Sequence, residues 1–321
     1  MIKNTLNICQ VSLNENIPLI IENYQKFKKL YGSLKIHIIC PKHQLNEFKK
    51  KLNFEDIKII NEEEIFSFED FNKVFERTSE KILYQKDFKK RLGWYYQQIL
   101  KITFAINFVN EKRENIVIWD ADTIILKKIN FFEKGLSIKY GNFFEFHKAY
   151  YLTNDFIFKN PSKYFISFLN QFIAISKEEM DYLLENYLKV NLEKKNLGLE
   201  ISELILKSIF MKHQKYNGSL FSEYEFIGQS NYSYNYVKQK PLLFLRFGLD
   251  GKLTKTQKFI SIFLDYKHVT YEHAHPSFKN LGMLNRSQSW YGFSKILIKN
   301  FFKFYLRYIR HNIFFFLNDR K

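Results

Sequence analysis

The chain has 321 residues, of which 46% are hydrophobic and 18% aromatic, and its 50 Lys and Arg against 33 Asp and Glu give a formal charge of +17. This length and apolar content support one large or two small folded domains and exclude a disordered chain. Only two cysteines occur, Cys9 and Cys40, far apart within apolar runs. They exclude a zinc cluster or a disulfide framework and predict buried free thiols.

The positive charge predicts an anionic partner, such as nucleic acid, a membrane surface or an anionic substrate. Part of it reflects a composition rich in Lys, Asn, Ile, Phe and Tyr, which an A/T-rich coding sequence gives regardless of function. The N-terminal segment lacks the apolar core of a signal peptide, and no apolar stretch reaches the roughly 18 residues of a spanning helix. We therefore expect a protein that is made and kept in the cytoplasm.

The first part of the chain alternates short β-branched runs with helical patterns. Four runs are predicted to be strands, at residues 5–12, 35–41, 56–61 and 115–120. Between the first two, apolar residues recur at helical spacing from Ile17 to Tyr31. This alternation predicts a parallel sheet, whose ligands bind beyond the carboxyl ends of the strands.

A helix with an unusual polar face is predicted just before the fourth strand, from the segment GWYYQQILKI at residues 93–102. One face is apolar and can bury against the sheet: Tyr95, Ile99, Ile102, Ile106 and Val109. Another face carries Trp94, Gln97, Gln98 and Lys101. A surface helix seldom presents a Trp, two amides and a Lys together, so this face is predicted to line a site. A partly buried helix between domains is the alternative.

After residue 128 the strand and helix alternation is lost. Residues 167–184 and 197–212 are predicted to be helical, whereas residues 221–235 are polar, aromatic and loop-like. This half is predicted to pack onto the first sheet and to complete a substrate site.

The C-terminal segment, residues 290–321, combines basic and aromatic residues at helical spacing. Lys295, Lys299, Lys303 and Arg307 recur every four residues, with Phe and Tyr on much of the remaining surface. Seven basic residues against one acidic residue concentrate about a third of the net charge here. The pattern predicts a helix that lies in an anionic membrane interface. A terminal helix docked on the protein's own core is the alternative.

The sharpest local signal is a pair of aspartates at the end of a strand that is apolar throughout. Asp120 and Asp122 follow residues 116–119 and are separated by one residue. In an extended chain these two side chains point the same way and can address one ion. Carboxylate oxygens suit Mg²⁺ or Mn²⁺, which would neutralise a diphosphate being displaced. The alternative is a turn in which an Asp caps the following segment.

The order of these motifs resembles the GT-A class of nucleotide-sugar-dependent glycosyltransferases. More narrowly, it is similar to a bacterial family of glycosyltransferases found with surface-polysaccharide genes. Members show a Gly-Trp-Tyr-x-Gln-Gln-x-x-Lys helix, an Asp-Ala-Asp-Thr strand end, a Ser-Phe segment before a helix and a Ser-Glu-Tyr-Glu element. The matching segments here are residues 93–101, 120–123, 167–168 and 222–225. Their joint order is more specific than any one of them.

The resemblance implies metal-dependent transfer of a sugar from a nucleotide-sugar donor to a growing bacterial surface glycan, such as capsule, lipopolysaccharide or lipooligosaccharide. Asp120 and Asp122 would bind Mn²⁺ or Mg²⁺ and the donor diphosphate. The donor pocket would be lined by Trp94, Gln97, Gln98 and Lys101. Glu223 or Glu225 would lie near the acceptor, as a general base if the reaction inverts the anomeric centre or as a positioning residue if it retains it. A solvated loop with an acidic helix start is the alternative for these two residues.

Histidines add one further expectation. A late histidine often becomes an additional metal ligand in GT-A enzymes, and the resemblance gives that role to His273 or His275. An ordinary pair of loop histidines is the alternative. The segment after Ser167 lacks the histidine expected in the family's Ser-Phe helix, and His147 occurs elsewhere in the chain.

Together these inferences predict an α/β fold in three parts. Residues 1–128 would form a GT-A-like, Rossmann-type nucleotide-binding sheet, residues 129–289 a mixed helical and loop acceptor region, and residues 290–321 an amphipathic helical tail. The expected partners are a nucleotide-sugar donor, a glycan or lipid-linked glycan acceptor and an anionic membrane surface, with no nucleic acid. The protein is expected to be peripheral on the inner face of the cell membrane.

Two other functions are weighed against this interpretation. A nucleotidyltransferase also needs paired carboxylates and a metal, but residues 11–18 contain no glycine for a phosphate loop. A basic nucleic-acid-binding protein would account for the charge, but the basic residues are spread over helices and the tail without a recognisable binding module.

Overall fold

The computed structural model is built around a five-stranded sheet. Four of its strands are parallel, and one antiparallel strand lies at its edge. The structure describes residues 5–141, 147–159, 167–188, 197–215, 218–230, 238–245, 253–271, 293–295, 297–306 and 309. Helices cover the sheet, so the fold is mixed α/β.

The strands and helices alternate most regularly in the first part of the chain. The strands are β1 (Leu6–Val11), β2 (Leu34–Cys40), β3 (Ile57–Asn61), β4 (Ile116–Trp119), β5 (Thr123–Ile125), β6 (Phe132–Glu133), β7 (Leu136–Gly141), β8 (Phe172–Ile175), β9 (Lys238–Pro241) and β10 (His268–Thr270). The helices are α1 (Ile17–Tyr31), α2 (Leu45–Lys51), α3 (Phe68–Ser79), α4 (Gln85–Lys89), α5 (Leu92–Lys112), α6 (Lys148–Phe158), α7 (Lys177–Leu183), α8 (Leu197–Lys212), α9 (Glu223–Ser230) and α10 (Lys255–Phe263).

The main sheet has the strand order β3, β2, β1, β4, β8. The first four strands are parallel, and β8 pairs antiparallel with β4. All four predicted strands are confirmed within one or two residues of their expected ends, and so is the helix from Ile17 to Tyr31. The apolar strands β1, β2 and β4 are almost fully buried, as parallel strands covered by helices on both faces require, whereas the edge strand β3 is only partly buried.

Successive residues of each strand enter two different hydrophobic cores. Ile8 and Val117 pack on the side of α1, whereas Cys9 and Ile118 pack on the side of α5. Ile99, Ile102, Ile106 and Val109 of α5 are buried in the second of these cores, which confirms the predicted apolar face. Cys9 and Cys40 are free and buried, as expected.

Two predictions for the second half are wrong. Residues 167–184, predicted as one helix, contain β8 followed by α7. Residues 172–175 form a short apolar run, and the period of such a run does not separate a strand from a helix. The helix starts only after Ser176, whose hydroxyl accepts the Glu179 N–H in a capping box.

Residues 221–235, predicted as a loop, contain the helix α9. Its polar residues are buried because they hydrogen-bond within the protein: Gln229 donates to Glu225 at 3.1 Å, for example. The helix predicted at residues 197–212 is confirmed by α8. The main sheet takes β8 from beyond residue 128, and the three-part division of the chain stays a prediction.

The helical residues 293–295, 297–306 and 309 form the described part of the C-terminal segment, here called the tail helix. Phe293, Leu297 and Phe304 are buried in the core on the α1 side of the sheet. The Tyr266 hydroxyl donates to the Leu297 carbonyl oxygen at 2.8 Å. One face of the tail helix therefore docks on the protein, as the alternative interpretation of this segment held. Within the described ranges, no helix has the length and apolar character needed to cross a bilayer.

Replacing Gly228 with alanine is expected to destabilise the protein. A Cβ at Gly228 would lie 2.3 Å from Cγ and Cδ2 of the buried Phe168 ring, so α9 and this ring must move apart. We expect the free energy of unfolding, measured by urea denaturation, to fall by about 1–3 kcal/mol. Gly93→Ala is the matched control, because a Cβ on this helical residue meets nothing within 4 Å. It should be neutral or stabilise by up to about 1 kcal/mol. Wild-type stability of Gly228→Ala would contradict the packing of α9 on Phe168.

Candidate active site

Asp120 and Asp122 lie in the turn between β4 and β5, at the carboxyl end of β4. The backbone holds this turn on both sides. The Asp120 N–H donates to the Gln171 carbonyl oxygen at 2.9 Å, and the Thr123 N–H donates to the Asp120 carbonyl oxygen at 3.1 Å. These bonds fix the point at which the chain leaves the sheet, so both carboxylates emerge from a rigid support.

Side-chain hydrogen bonds and a backbone bond from Tyr271 hold residues 122 and 123 of the turn in place. Trp119 Nε1 donates to the Thr123 carbonyl oxygen at 2.7 Å, and the Thr123 hydroxyl lies 2.8 Å from that of Thr270. The Tyr271 N–H donates to the Asp122 carbonyl oxygen at 3.0 Å. The turn is therefore tied to the end of β10, and the Thr123 hydroxyl also donates to Asp122 Oδ1 at 3.2 Å.

The turn lies where the strand order of the sheet reverses. The chain proceeds from β1 outward to β2 and β3, and then returns to the other side of β1 to form β4. Ligands of open α/β sheets bind in the crevice at such a reversal, beyond the carboxyl ends of the strands. Ser12 follows β1 and Asp120 follows β4 at this crevice. The fold thus gives the paired aspartates the position that a ligand site in this architecture uses.

Lys101 of α5 places its ammonium group between two carboxylates. Its Nζ lies 2.5 Å from Asp120 Oδ1 and 2.7 Å from Glu223 Oε1. The Tyr224 hydroxyl lies 3.5 Å from the same nitrogen. The Lys101 side chain is only 4% exposed. One buried cation thus joins α5, the turn after β4 and the start of α9.

The charges of this cluster perturb one another. Burial lowers the pKa of Lys101, but the carboxylates of Asp120 and Glu223 outweigh burial and hold that pKa above its ordinary value. Burial raises the pKa of Glu223, against the effect of Lys101 and with the support of Asp120. Burial, Asp120 and Glu223 all raise the pKa of Tyr224 far above its ordinary value. Lys101 is therefore a cation, and Tyr224 a neutral hydroxyl, at neutral pH.

Gln98 and Lys101 are the two residues of the predicted polar face that the structure brings to α9. The Gln98 side-chain oxygen accepts the backbone N–H of Glu223 at 3.1 Å, so the amide caps the start of that helix. Trp94 lies one turn earlier, with the Arg91 guanidinium 4.3 Å above its ring. Gln97 is half-buried on the same side of the helix.

Glu223 and Glu225 occupy different environments, although both are buried. Glu223 belongs to the Lys101 cluster. Glu225 accepts hydrogen bonds from the Ser167 hydroxyl at 2.5 Å and the Phe168 N–H at 3.2 Å, which hold the segment before β8 against α9. Burial of residues 222–225 contradicts the alternative of a solvated loop.

Asp120 and Asp122 could hold a divalent ion of the magnesium or manganese type, because such ions prefer carboxylate oxygens. Such ions often take only one or two carboxylates and complete their shell with substrate phosphate oxygens and water. Across the ranges that the structure describes, no group of three or more His, Cys, Asp or Glu side chains is arranged to hold a metal. His273 and His275 lie outside those ranges, and His147 packs against the Tyr150 ring with centroids 4.9 Å apart.

The chain is similar to one family model and to solved structures of other proteins. The sequence model of a family of unknown function, DUF6492, matches residues 14–141, which include Lys101 and both aspartates. No curated protein matches the chain. Among solved structures, mouse xyloside xylosyltransferase 1 in its apo form aligns over 86% of this chain and 99% of its own, with 11% identity and a TM-score of 0.39. A likeness this low supports no inference about function.

Tyr224 contacts the Lys101 cluster, and the buried Cys9 thiol lies near Lys101; the sequence predicted neither position. The Tyr224 side chain hydrogen-bonds to Asp120. Burial raises the pKa of the Cys9 thiol to about 12, and the charge of nearby Lys101 opposes this rise. Tyr224 could have been found from its place between the two glutamates of residues 222–225. Cys9 gave no signal, because its proximity to Lys101 depends on how α5 packs on β1.

Lys101→Met should strongly destabilise the protein, since it leaves Asp120 and Glu223 facing each other without a cation. We expect the free energy of unfolding to fall by about 3–5 kcal/mol, because breaking a buried ion pair strands a charge. Glu223→Gln alone should cost less, since Lys101 keeps Asp120.

The double variant Lys101→Met with Glu223→Gln tests whether the two groups are coupled. It should lose about 1–3 kcal/mol less than the sum of the single variants, measured by urea denaturation. Strictly additive losses would show that the two side chains do not interact in solution.

Proposed function

We propose that this protein is a metal-dependent glycosyltransferase that uses a nucleotide-sugar donor. The observation that carries the proposal is the placement of Asp120 and Asp122 at the carboxyl end of β4, where the strand order reverses, with the Lys101 ammonium buried beside Asp120. This arrangement offers hard oxygen ligands at the edge of the sheet where open α/β folds bind nucleotides. The order of motifs in residues 93–225 gives independent support through its resemblance to GT-A enzymes.

The charge balance of the cluster favours a divalent cation. When Asp120, Asp122 and Glu223 are ionised, Lys101 neutralises one of three negative charges, and two remain. Asp120 and Asp122 would hold the ion, which supplies positive charge for the departing diphosphate. Lys101 fixes the Asp120 carboxylate before any ligand arrives, so the site does not need to reorganise when the donor binds.

Glu223 is the better candidate for the residue that accepts the acceptor's proton. Glu225 is the better candidate for a residue that positions the wall of the site. In the proposed transfer, an acceptor hydroxyl oxygen bonds to the anomeric carbon, the bond from that carbon to the diphosphate breaks, and the hydroxyl proton is removed. Burial raises the pKa of Glu223, and a carboxylate with a raised pKa is a stronger base for the acceptor hydroxyl proton. The bonds that Glu225 makes to Ser167 and Phe168 suit a residue that holds the site wall.

The acceptor proposed here is a growing bacterial surface glycan, free or lipid-linked, on the inner face of the cell membrane. The support is the sequence resemblance to a family associated with surface polysaccharides. A nucleotide sugar is made in the cytoplasm, so this location would give the enzyme both substrates.

Donor binding should depend on the two aspartates and on a divalent ion. In calorimetric titration of a panel of sugar nucleotides with Mn²⁺, we expect at least one to bind, and EDTA to abolish that binding. Asp120→Asn and Asp122→Asn keep the side-chain volume and should each weaken binding by about 10–100-fold or more, because they remove a charged ligand of the ion.

Lys139→Met is the matched control for these variants. Lys139 is fully buried, and its ammonium lies 3.2 Å from the Glu179 carboxylate of α7, in an ion pair that does not include Lys101, Asp120 or Glu223. This variant should lose stability and keep donor affinity. If no sugar nucleotide binds with Mn²⁺, or if both aspartate variants bind as the wild type does, the proposed function is wrong.

Substitutions of Glu223 and of Glu225 should affect the rate of donor cleavage differently. With a donor that binds, Glu223→Gln should lower the rate of donor cleavage by about 10²–10⁴-fold while donor affinity changes little. Glu225→Gln should mainly lower stability, because its second carboxylate oxygen, which accepts the Gln229 side-chain N–H, becomes an amide nitrogen that cannot accept it. The released product is diagnostic as well: a nucleoside diphosphate supports sugar transfer, whereas pyrophosphate would identify a nucleotidyltransferase.

A further inference from the structure

Exposed apolar side chains are concentrated on two elements of the fold. Of the twelve large apolar side chains that are exposed in the described part of the chain, seven lie on α10 and the tail helix. The other five are spread over distant elements, as single exposed apolar residues normally are. A concentration of exposed apolar side chains is typical of a surface that contacts another protein or a membrane.

The tail helix has two apolar faces, and only one of them is docked. Residues 293, 297 and 304 pack into the core. Residues 298, 302, 305, 306 and 309 follow the same three-to-four spacing, but they lie on the opposite side and are between 43% and 67% exposed. Docking on the protein's own core therefore buries one apolar face of this helix. The second apolar face remains exposed to water.

Two phenylalanines of α10 extend the exposed surface beyond the tail helix. Phe259 and Phe263 are one turn apart and are 68% and 78% exposed. The opposite side of α10 is anchored by Gln257 and Ser261, which are buried. Tyr266, three residues after Phe263, donates to the Leu297 carbonyl oxygen, so the end of α10 lies against the tail helix.

Cationic side chains accompany this apolar surface. Lys295 and Lys299 are exposed on the tail helix, and Lys255 is exposed at the start of α10. An anionic bilayer satisfies both features at once, since apolar rings enter the acyl boundary while each nearby Lys gains about 1 kcal/mol from anionic headgroups. A second copy of this chain is a poorer occupant, because a two-fold interface places the same lysines of both copies near each other.

We propose that the exposed faces of α10 and the tail helix form one surface that lies in an anionic membrane interface. It is made of Phe259, Phe263, Ile298, Phe302, Tyr305, Leu306 and Ile309, with Lys255, Lys295 and Lys299 at its side. This goes beyond the sequence-based expectation, which placed membrane contact in residues 290–321 alone. The binding to lipid stands independently of the proposed sugar transfer.

The surface is connected to the candidate site by a short path through the fold. The chain leaves α10 at Phe263, forms β10 and reaches Tyr271, whose N–H binds the Asp122 carbonyl oxygen. A bilayer that holds α10 would thereby fix the direction in which the carboxylate pair faces. The chemistry of the acceptor that profits from this orientation is a sugar on a lipid carrier, and this part of the inference rests on the proposed function.

Co-sedimentation of the full chain with vesicles tests the proposal. We expect binding to vesicles of phosphatidylcholine with phosphatidylglycerol, weaker binding to phosphatidylcholine alone, and weaker binding at high salt. The double variant Phe259→Ser with Phe263→Ser should lower the vesicle partition by at least about tenfold, since two rings leave the acyl boundary. Lys295→Gln with Lys299→Gln should reduce the preference for the anionic vesicles.

Met211→Ser is the matched control, because Met211 is 69% exposed on α8, outside the proposed surface. Its vesicle partition should stay within about twofold of the wild-type value. Titration with sugar nucleotides in free solution should be unchanged in the α10 variant, so loss of lipid binding is distinguishable from failure of the proposed function. Wild-type vesicle binding of the α10 variant would overturn the composite surface. A dimer in light scattering that Phe302→Ser with Leu306→Ser converts to a monomer would assign the surface to a second copy instead.

Discussion

The candidate site depends on the ion pairs that the buried Lys101 ammonium group forms with Asp120 and Glu223. Three elements distant in sequence meet at this nitrogen: α5, the turn after β4, and the first residues of α9. An unpaired cation in that position would be too costly to bury, so the helix, the turn and the two carboxylates must be in place together. The same cation contacts both Asp120 and Glu223 and opposes the repulsion between these two carboxylates. The geometry of the site is therefore a condition of folding and is set before any ligand binds.

The sequence was most informative where a pattern is local. The apolar strand that ends at Asp120 and the apolar face of α5 depend on local sequence periods, and both are confirmed, whereas the site-lining role of Gln98 and Lys101 stays a prediction. The meeting of Lys101 with Glu223 was not predictable, because it depends on the packing of helices more than a hundred residues apart. Residues 172–175 were misassigned for a related reason: whether a short apolar run becomes a strand is decided by the free edge of β4. Polar α9 was missed because its hydrogen-bonding partners lie elsewhere in the chain.

A second buried ion pair shows that burial of charge alone does not define a functional site in this protein. Lys139 and Glu179 are as buried as Lys101 and Glu223, and Ser137 donates to the same carboxylate. That pair lies between β7 and the start of α7, where Glu179 also completes the capping box of Ser176. Its groups have their partners within the fold and no second carboxylate at a strand end. The Lys101 cluster differs because its Asp120 lies at the end of β4, two residues before Asp122, where the strand order of the sheet reverses.

The net charge of +17 is distributed unevenly over the protein, and this distribution bears on both proposals. The candidate site is locally acidic, and a divalent ion is what would let an anionic donor enter it. The cationic residues of α10 and the tail helix lie beside exposed aromatic rings instead, where they cannot serve the donor but can attract a lipid surface. The two regions are joined through β10 and the bond from Tyr271 to Asp122. The proposed lipid surface and the proposed donor site thus use different residues, so substitutions can test each of them without altering the other.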